Sequence, residues 1–239
     1  MLALKHSIGI PEDDSVIRKA FHFDRNSVCA LMAVTPQSSS EYVSPYSKSF
    51  SIWAKNDMVP NKGEFFKYSS VAIGYGNSNN MENTGTYIWI LYEVVAWNKS
   101  FNNTAMDTNW HHYCLTMQTS SSSGQPKVYI DGILKLTGNR QSISTTASAC
   151  QYTLGNTGST STTRAFAGYL TRFCIFNKVL TASEVAADFA LGITTPPTNS
   201  ATQTFLDMTV KGGVVKDKIG TYDMNIIGGA TQVSLNSTM

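Results

Sequence analysis

The chain has 239 residues, which is long enough to bury a full hydrophobic core as a single all-β domain. Only 14% of the residues are charged and the net charge is +2, so the charge balance gives no reason to expect nucleic acid or an anionic membrane as a partner. No apolar stretch is long enough for a transmembrane helix, which argues against insertion into a membrane.

The first part of the chain is predicted to form an arm followed by strands. Residues 1–19 are polar and show no clear period, and basic residues interrupt them too early for a secretory signal. Residues 20–33 are predicted to contain one or two strands, because Phe21 and Phe23 share one face at a spacing of two. Residues 49–55 alternate between apolar and polar side chains, which is typical of a half-buried strand.

Two strands and two loops are predicted before the middle of the chain. Residues 64–74 have the pattern of a strand, and residues 74–80 are rich in Gly and Asn and predict a loop. Residues 87–95 are apolar almost throughout, so we expect a central strand that is covered on both faces. The Asn-rich residues 97–108 are predicted to be a long loop.

The middle of the chain is predicted to be an antiparallel meander of three strands. Residues 110–118 and 127–131 are rich in aromatic and β-branched side chains. The Asp131-Gly132 pair is typical of a tight turn, and it leads into a third strand at residues 133–137.

One short helix is predicted from Thr181 to Leu191, after a long strand that is predicted at residues 166–176. Thr181 can cap this helix, and Glu184, three residues later, completes a capping box. Val185 begins its apolar stripe, and Gly192 is positioned to end it.

Residues 193–239 are predicted to form a connector and further strands. These strands could pair beside the N-terminal strands and complete the sandwich, or they could be donated to a neighbouring molecule. We favour pairing within the chain, because the two ends of such a domain are commonly close together.

Three blocks of sequence carry a family resemblance. They are Trp-His-His followed by Val-Tyr-Ile-Asp-Gly within residues 110–132, the segment FAGYLTRFCIFNKVLTASEV at 166–185, and Phe-His-Phe-Asp at 21–24 with Phe-Ser-Ile-Trp-Ala-Lys at 50–55. Over residues 20–192 the chain resembles laminin-G-like (concanavalin A-like) lectin/glucanase domains. The resemblance implies an all-β, two-sheet antiparallel jelly-roll sandwich with one short helix.

The family includes glycan hydrolases, but the sequence does not favour an enzyme. A retaining glycosidase needs two carboxylates about 5 Å apart, and alternate residues on a strand can supply them. The Glu-x-Asp-x-Glu string of the glucanases is absent, and Glu93 has Leu91 and Val95 two residues away. The neighbours His111 and His112 point to opposite faces of a strand, so a shared metal ion is not expected.

Calcium is the cofactor that the resemblance brings into consideration, because relatives often hold it at a loop rim. Asp24, Asn26 and Asp131 are the candidate ligands, with Asp107 and Asn156 as further oxygen donors. The alternative for Asp131 is a structural role in its Asp-Gly turn.

Sugar binding requires exposed aromatic side chains and hydrogen-bonding groups on a fixed scaffold. Tyr75 and Asn77 in one predicted loop, and Trp97, Asn98 and Phe101 in another, fit this chemistry. The alternative is that Trp97 and Phe101 anchor their loop to the sandwich. The sheet face opposite the core is a second candidate surface.

The four cysteines at positions 29, 114, 150 and 174 form no Cys-x-x-Cys motif. Cys29, Cys114 and Cys174 fall within apolar strand patterns, which favours buried thiols over disulfides.

These observations predict a non-catalytic recognition or assembly module. The first hypothesis is a virion structural or decoration protein, with other virion proteins or further copies of itself as partners. The alternative is a carbohydrate- or protein-binding adhesion module of a cell surface, and a glycoside hydrolase is a remote third hypothesis. The expected location is a virion surface or the extracellular space.

Overall fold

The computed structural model describes residues 16–26, 29–33, 48–68, 71–92, 95–117, 125–138, 152–157, 161–220 and 222–239, with backbone only at residues 29, 32–33, 92 and 95–99. These residues form one α-helix, α1 (Ala182–Ala190), a 3-10 turn at Leu235–Ser237, and sixteen strands. The strands are β1 (Lys19–Phe23), β2 (Cys29–Ala33), β3 (Lys48–Asn56), β4 (Gly63–Tyr68), β5 (Val71–Gly76), β6 (Tyr87–Tyr92), β7 (Val95–Asn102), β8 (Trp110–Met117), β9 (Lys127–Ile130), β10 (Ile133–Thr137), β11 (Tyr152–Leu154), β12 (Gly168–Phe176), β13 (Thr202–Lys211), β14 (Val214–Asp217), β15 (Met224–Gly228) and β16 (Thr231–Ser234).

The strands follow one another in the order β10-β9-β8-β3-β12-β13-β14-β15-β2-β11-β4-β5-β6-β7, and β1 pairs with both β12 and β16. The part around β3 packs face to face against the part around β4. The ring of Phe50 on β3 lies 5.1 Å from that of Phe66 on β4, and Phe173 on β12 lies 5.6 Å from Phe66. The predicted all-β sandwich with one short helix is therefore confirmed.

Strand β3 is more deeply buried than its alternating pattern predicted. Phe50 and Ile52 point into the main core between the sheets, as expected. The opposite face is also covered, because α1 packs on it. The Trp53 ring stacks on Phe189 of the helix at 5.8 Å, and the hydroxyl of Ser49 donates to the carbonyl of Lys178. The half-buried prediction for this strand was therefore wrong.

Helix α1 begins and ends where the sequence predicts. The Thr181 side chain accepts from the backbone N–H of Glu184, the Glu184 carboxylate accepts from the backbone N–H of Thr181, and Gly192 follows with a φ of 77°. These local contacts define the two ends of the helix. Val185 lies on the buried face of the helix and is fully inaccessible.

A buried ionic network joins α1 to the sheet. Asp188 of the helix accepts from Arg172 Nη2 on β12 at 2.8 Å and lies 3.0 Å from His112 Nε2 on β8. Burial opposes ionisation of Asp188, but the His112 hydrogen bond and the Arg172 charge outweigh it and hold the pKa of Asp188 well below its usual range. The sequence analysis did not identify this contact.

Two predicted boundaries were wrong. Residues 64–74 are not one strand, because β4 and β5 are separate strands that pair with each other. Residues 97–102 of the predicted Asn-rich loop are part of strand β7. This strand pairs with β6, with Tyr87 opposite Asn102 and Ile88 opposite Phe101. Pairing with an apolar neighbouring strand outweighs the low strand propensity of Asn in this stretch.

The C-terminal strands pair within the chain. β15 lies beside β2, and β16 lies beside β1, with Lys19 opposite Ser234. Residues 1–15 of the predicted arm lie outside the described residues.

Two of the four cysteines are described with their side chains. Cys114 and Cys174 are buried free thiols, as predicted, whereas Cys150 and the Cys29 side chain lie outside the described part. Within that part of the chain, no helix is both long and apolar enough to span a bilayer.

Candidate functional site

Four side chains lie side by side across four strands, on the sheet face that carries α1. His22 on β1 is opposite Tyr169 on β12, Tyr169 is opposite Lys55 on β3, and Lys55 is opposite Trp110 on β8. Their neighbours in the chain, such as Leu170, point into the core, so these four point outward. We call His22, Tyr169, Lys55 and Trp110 the aromatic row.

Helix α1 leaves the aromatic row partly uncovered. Trp53 and His112 lie opposite each other on β3 and β8, two residues away from Lys55 and Trp110, and they are buried under Phe189 of the helix. In the row, the rings of His22 and Tyr169 are 4.7 Å apart and those of Trp110 and Tyr169 are 6.3 Å apart, and all three residues are partly exposed. The end of the sheet thus presents adjoining aromatic rings to solvent.

Polar groups surround these rings. His22 Nε2 lies 2.7 Å from Asp57 Oδ2, with the two side chains 31% and 28% exposed. The ammonium group of Lys55 donates to the carbonyl of Thr238. Burial, and then the nearby charge of Asp57, raise the pKa of Tyr169, so its hydroxyl stays protonated at neutral pH.

Exposed apolar side chains follow Asp57 in the chain. The loop after β3 exposes Met58 and Val59, which are 44% and 42% accessible. Rings and apolar side chains with a carboxylate and an imidazole at their edge form an amphipathic surface. Such a surface can stack against the C–H face of a pyranose ring and bind its hydroxyls.

The structure does not place Tyr75 where a ligand could reach it. Tyr75 is 1% exposed, and its hydroxyl lies 2.5 Å from that of Tyr113 inside the core. Its prediction as a ligand-binding residue was wrong, because Tyr75 lies on the inward face of β5. Asn77 holds its own loop instead. Its side-chain oxygen accepts from the backbone N–H of Asn79 and its carbonyl accepts from Trp89 Nε1.

The second predicted ligand-binding group lies on β7. Trp97 and Asn98 belong to that strand and their side chains are outside the described part, while Phe101 is partly buried against the main core. The aromatic row was not predicted from the sequence. Its members lie on four strands that are neighbours in the sheet but far apart in the sequence. Within each strand, the sequence shows only an outward-facing side chain next to inward-facing ones, such as His22 between Phe21 and Phe23.

Asp24, Asp131 and Asn156 each accept a hydrogen bond from the protein backbone. Asp24 accepts from the backbone N–H of Asn26 at 3.0 Å. Asp131 has a φ of 51° in its Asp-Gly turn, which fits the structural alternative, and its side chain accepts from the backbone N–H of His112 on β8. Asn156 accepts from the backbone N–H of Thr157. Across the described ranges, no group of three or more His, Cys, Asp and Glu side chains is arranged to hold a metal ion.

His111 lies between two carboxylates. Its Nδ1 is 2.6 Å from Asp131 Oδ2 and its Nε2 is 3.0 Å from Asp107 Oδ1. The hydrogen bond to Asp131 contributes most to raising the pKa of His111, to about 8, against the effect of burial. The imidazolium therefore joins the loop before β8 to the β9–β10 turn.

Two carboxylates also meet at one arginine. Arg164 lies 3.2 Å from Glu64 Oε1 and 3.3 Å from Glu82 Oε1. Burial raises the pKa of Glu64, and its side chain is fully inaccessible. A glycosidic bond could not reach both members of this pair, so the geometry is that of a structural ion pair.

The comparisons with known proteins agree with this architecture. A model of the concanavalin A-like lectin/glucanases superfamily matches residues 33–186. No curated protein sequence matches the chain.

Two solved structures are similar in fold. A candidate carbohydrate-binding protein from Bacteroides ovatus is 17% identical with a TM-score of 0.66, over 92% of this chain and 61% of that one. This chain thus spans about three fifths of that protein. The heptameric SAP-like pentraxin from Limulus polyphemus is 13% identical with a TM-score of 0.58, over 91% of this chain and 94% of that one.

Proposed function

Because the chain belongs to the concanavalin A-like lectin/glucanases superfamily, we propose that it is a non-catalytic carbohydrate-binding module whose ligand stacks on the aromatic row. The observation that carries this proposal is the partly exposed set of rings of His22, Tyr169 and Trp110, with the Asp57 carboxylate beside them. A saccharide needs this combination of an apolar face and a polar edge.

Two further points support a binding role without catalysis. The similar Bacteroides ovatus protein is described as a candidate carbohydrate-binding protein. The two carboxylates that meet at Arg164 include the inaccessible Glu64, so they do not form a pair that could act on a glycosidic bond.

The proposal is tested by a glycan array followed by titration of the best ligand against Tyr169→Ala. Loss of one stacking ring should weaken binding about tenfold, which corresponds to about 1.4 kcal/mol. Tyr87→Ala is the matched control, because Tyr87 is also partly buried but lies on β6, away from the row. An unchanged affinity in a folded Tyr169→Ala protein would exclude the aromatic row as the binding surface.

A second candidate role is assembly with further copies of the chain, as in a virion decoration or fibre protein at a particle surface. Strand β10 pairs with β9 alone among the described strands, and it exposes Ile133 and Leu134, which are 59% and 47% accessible. An edge strand with exposed aliphatic side chains is suited to self-association. Light scattering at several concentrations tests this role, and a monomer at every concentration would argue against it.

A further inference from the structure

Strand β3 begins with a buried lysine that has no carboxylate partner among the described residues. Lys48 is 1% exposed. Its ammonium group donates to the side-chain oxygen of Gln203 at 2.5 Å and to that of Asn177 at 3.3 Å. Burial lowers the pKa of Lys48 to about 8. At neutral pH this position therefore holds a positive charge that is solvated only by neutral amides in the described part of the chain.

An open polar cavity adjoins these amides. It has a volume of about 490 Å³ and is lined by Asn177, Ser200, Ala201, Thr202 and Gln203. A cavity of this size can hold a monosaccharide or another small polar molecule. Two of its lining residues are the same amides that contact Lys48, so the buried charge lies directly behind the cavity wall.

The orientation of the amides determines what the cavity presents to a ligand. Because the oxygens of Asn177 and Gln203 face the Lys48 ammonium, their nitrogens point away from it and serve as hydrogen-bond donors. The wall is also held in place by its own backbone. The N–H of Asn177 donates to the carbonyl of Ala201 at 2.8 Å, and the N–H of Ala201 donates to the side chain of Asn199 at 2.9 Å.

We propose that this cavity binds an oxyanion, namely the carboxylate of a small molecule such as a uronic acid. The amide donors of Asn177 and Gln203 would bind the carboxylate oxygens of the ligand. The positive charge of Lys48 behind these amides would stabilise the negative charge of the carboxylate. Lys48 and Lys55 lie at opposite ends of β3, about 23 Å apart at about 3.3 Å per residue. The site is therefore separate from the aromatic row and does not depend on the function proposed for it.

The direct test is a titration of the ¹⁵N-labelled full chain at constant ionic strength, followed through the side-chain amide signals of Asn177 and Gln203. Sodium glucuronate should shift both signals, and glucose should not. Sodium acetate distinguishes recognition of the carboxylate from recognition of the whole uronic acid. A shift by acetate alone still supports the oxyanion site. Equal shifts by glucose and glucuronate, or no shift with any carboxylate, would overturn the proposal.

Two variants test the charge and the donor independently. Lys48→Met keeps an unbranched side chain that is one atom shorter and removes the charge, and it should weaken glucuronate binding at least tenfold. Gln203→Glu places a carboxylate beside Lys48 and should have the same effect in a folded protein, even if Lys48→Met does not fold. Lys211→Met is the matched control, because Lys211 is exposed on β13. Unchanged binding in Gln203→Glu would contradict the inference.

Discussion

His22 and Tyr169 lie directly opposite each other on β1 and β12, with their ring centroids 4.7 Å apart, although they belong to opposite ends of the domain sequence. The pair forms one end of the aromatic row, and the Asp57 carboxylate holds the imidazole in place. Two contributions of His22 to the proposed glycan binding can therefore be tested separately, namely its ring surface and its hydrogen bond.

We predict that His22→Ala lowers affinity for the array-selected glycan two- to tenfold, because an aromatic contact of this kind contributes about 0.5–1.5 kcal/mol. His22→Phe keeps a ring opposite Tyr169 and should retain most of the affinity. Isothermal titration measures both variants. A loss in His22→Phe as large as that in His22→Ala would assign the role to the hydrogen bond with Asp57 and not to the ring.

The His111 contacts predict a pH dependence of stability. The folded pKa of His111 is raised from its ordinary value of 6.5 to about 8, so its contribution is fully present below pH 6.5 and is lost as pH rises through 8. The pKa change sets an upper limit of about 2 kcal/mol, and the 22% exposure of the side chain reduces the contribution below that limit.

Urea unfolding of the native chain and of His111→Gln at pH 6 and pH 9 measures this effect. The difference in unfolding free energy between the two proteins should be larger at pH 6. A difference that does not change with pH would show that His111 acts only as a neutral hydrogen-bonding group.

Asp188 is predicted to be essential for the docking of α1. Asp188→Asn leaves the Arg172 charge buried without a counter-charge, which should cost about 3–5 kcal/mol. Because the folded pKa of Asp188 is lowered, its stabilisation is present above the ordinary carboxyl pKa and is lost as pH falls below it. Glu184→Gln on the same helix removes a more exposed ion pair and should cost less than about 1 kcal/mol. Equal losses in the two variants, measured by urea unfolding, would refute the role assigned to Asp188.

Gly155 is predicted not to tolerate a side chain, because of its positive φ and its close contact with Phe23. It has a φ of 80°, and a Cβ atom at this position would lie 2.2 Å from the ring of Phe23. Gly155→Ala should therefore combine the backbone cost of about 1–2 kcal/mol with overpacking of about 1–3 kcal/mol. Gly212→Ala isolates the backbone cost, since Gly212 has a φ of 64° and open space around it. Thermal unfolding compares the two, and similar melting temperatures would rule out the steric contribution.

Features that depend on neighbouring residues could be predicted from the amino-acid sequence. The alternation of Phe21 and Phe23 predicted their common inward face, and Thr181 with Glu184 predicted the start of α1. The Asp131-Gly132 pair predicted a turn, and both residues have positive φ. Each of these signals acts over a few residues, because caps, turns and strand alternation follow from local hydrogen bonds and sterics.

The tertiary structure decided which side chains meet and which are covered. A tyrosine such as Tyr75 can occupy either an exposed binding site or the core. Only the packing of β5 against the other sheet places Tyr75 in the core. The aromatic row depends on the register of β1, β12, β3 and β8, and on where α1 ends above them. Such contacts join residues that are far apart in the chain, and a shift of register by one residue would turn every one of these side chains to the other face.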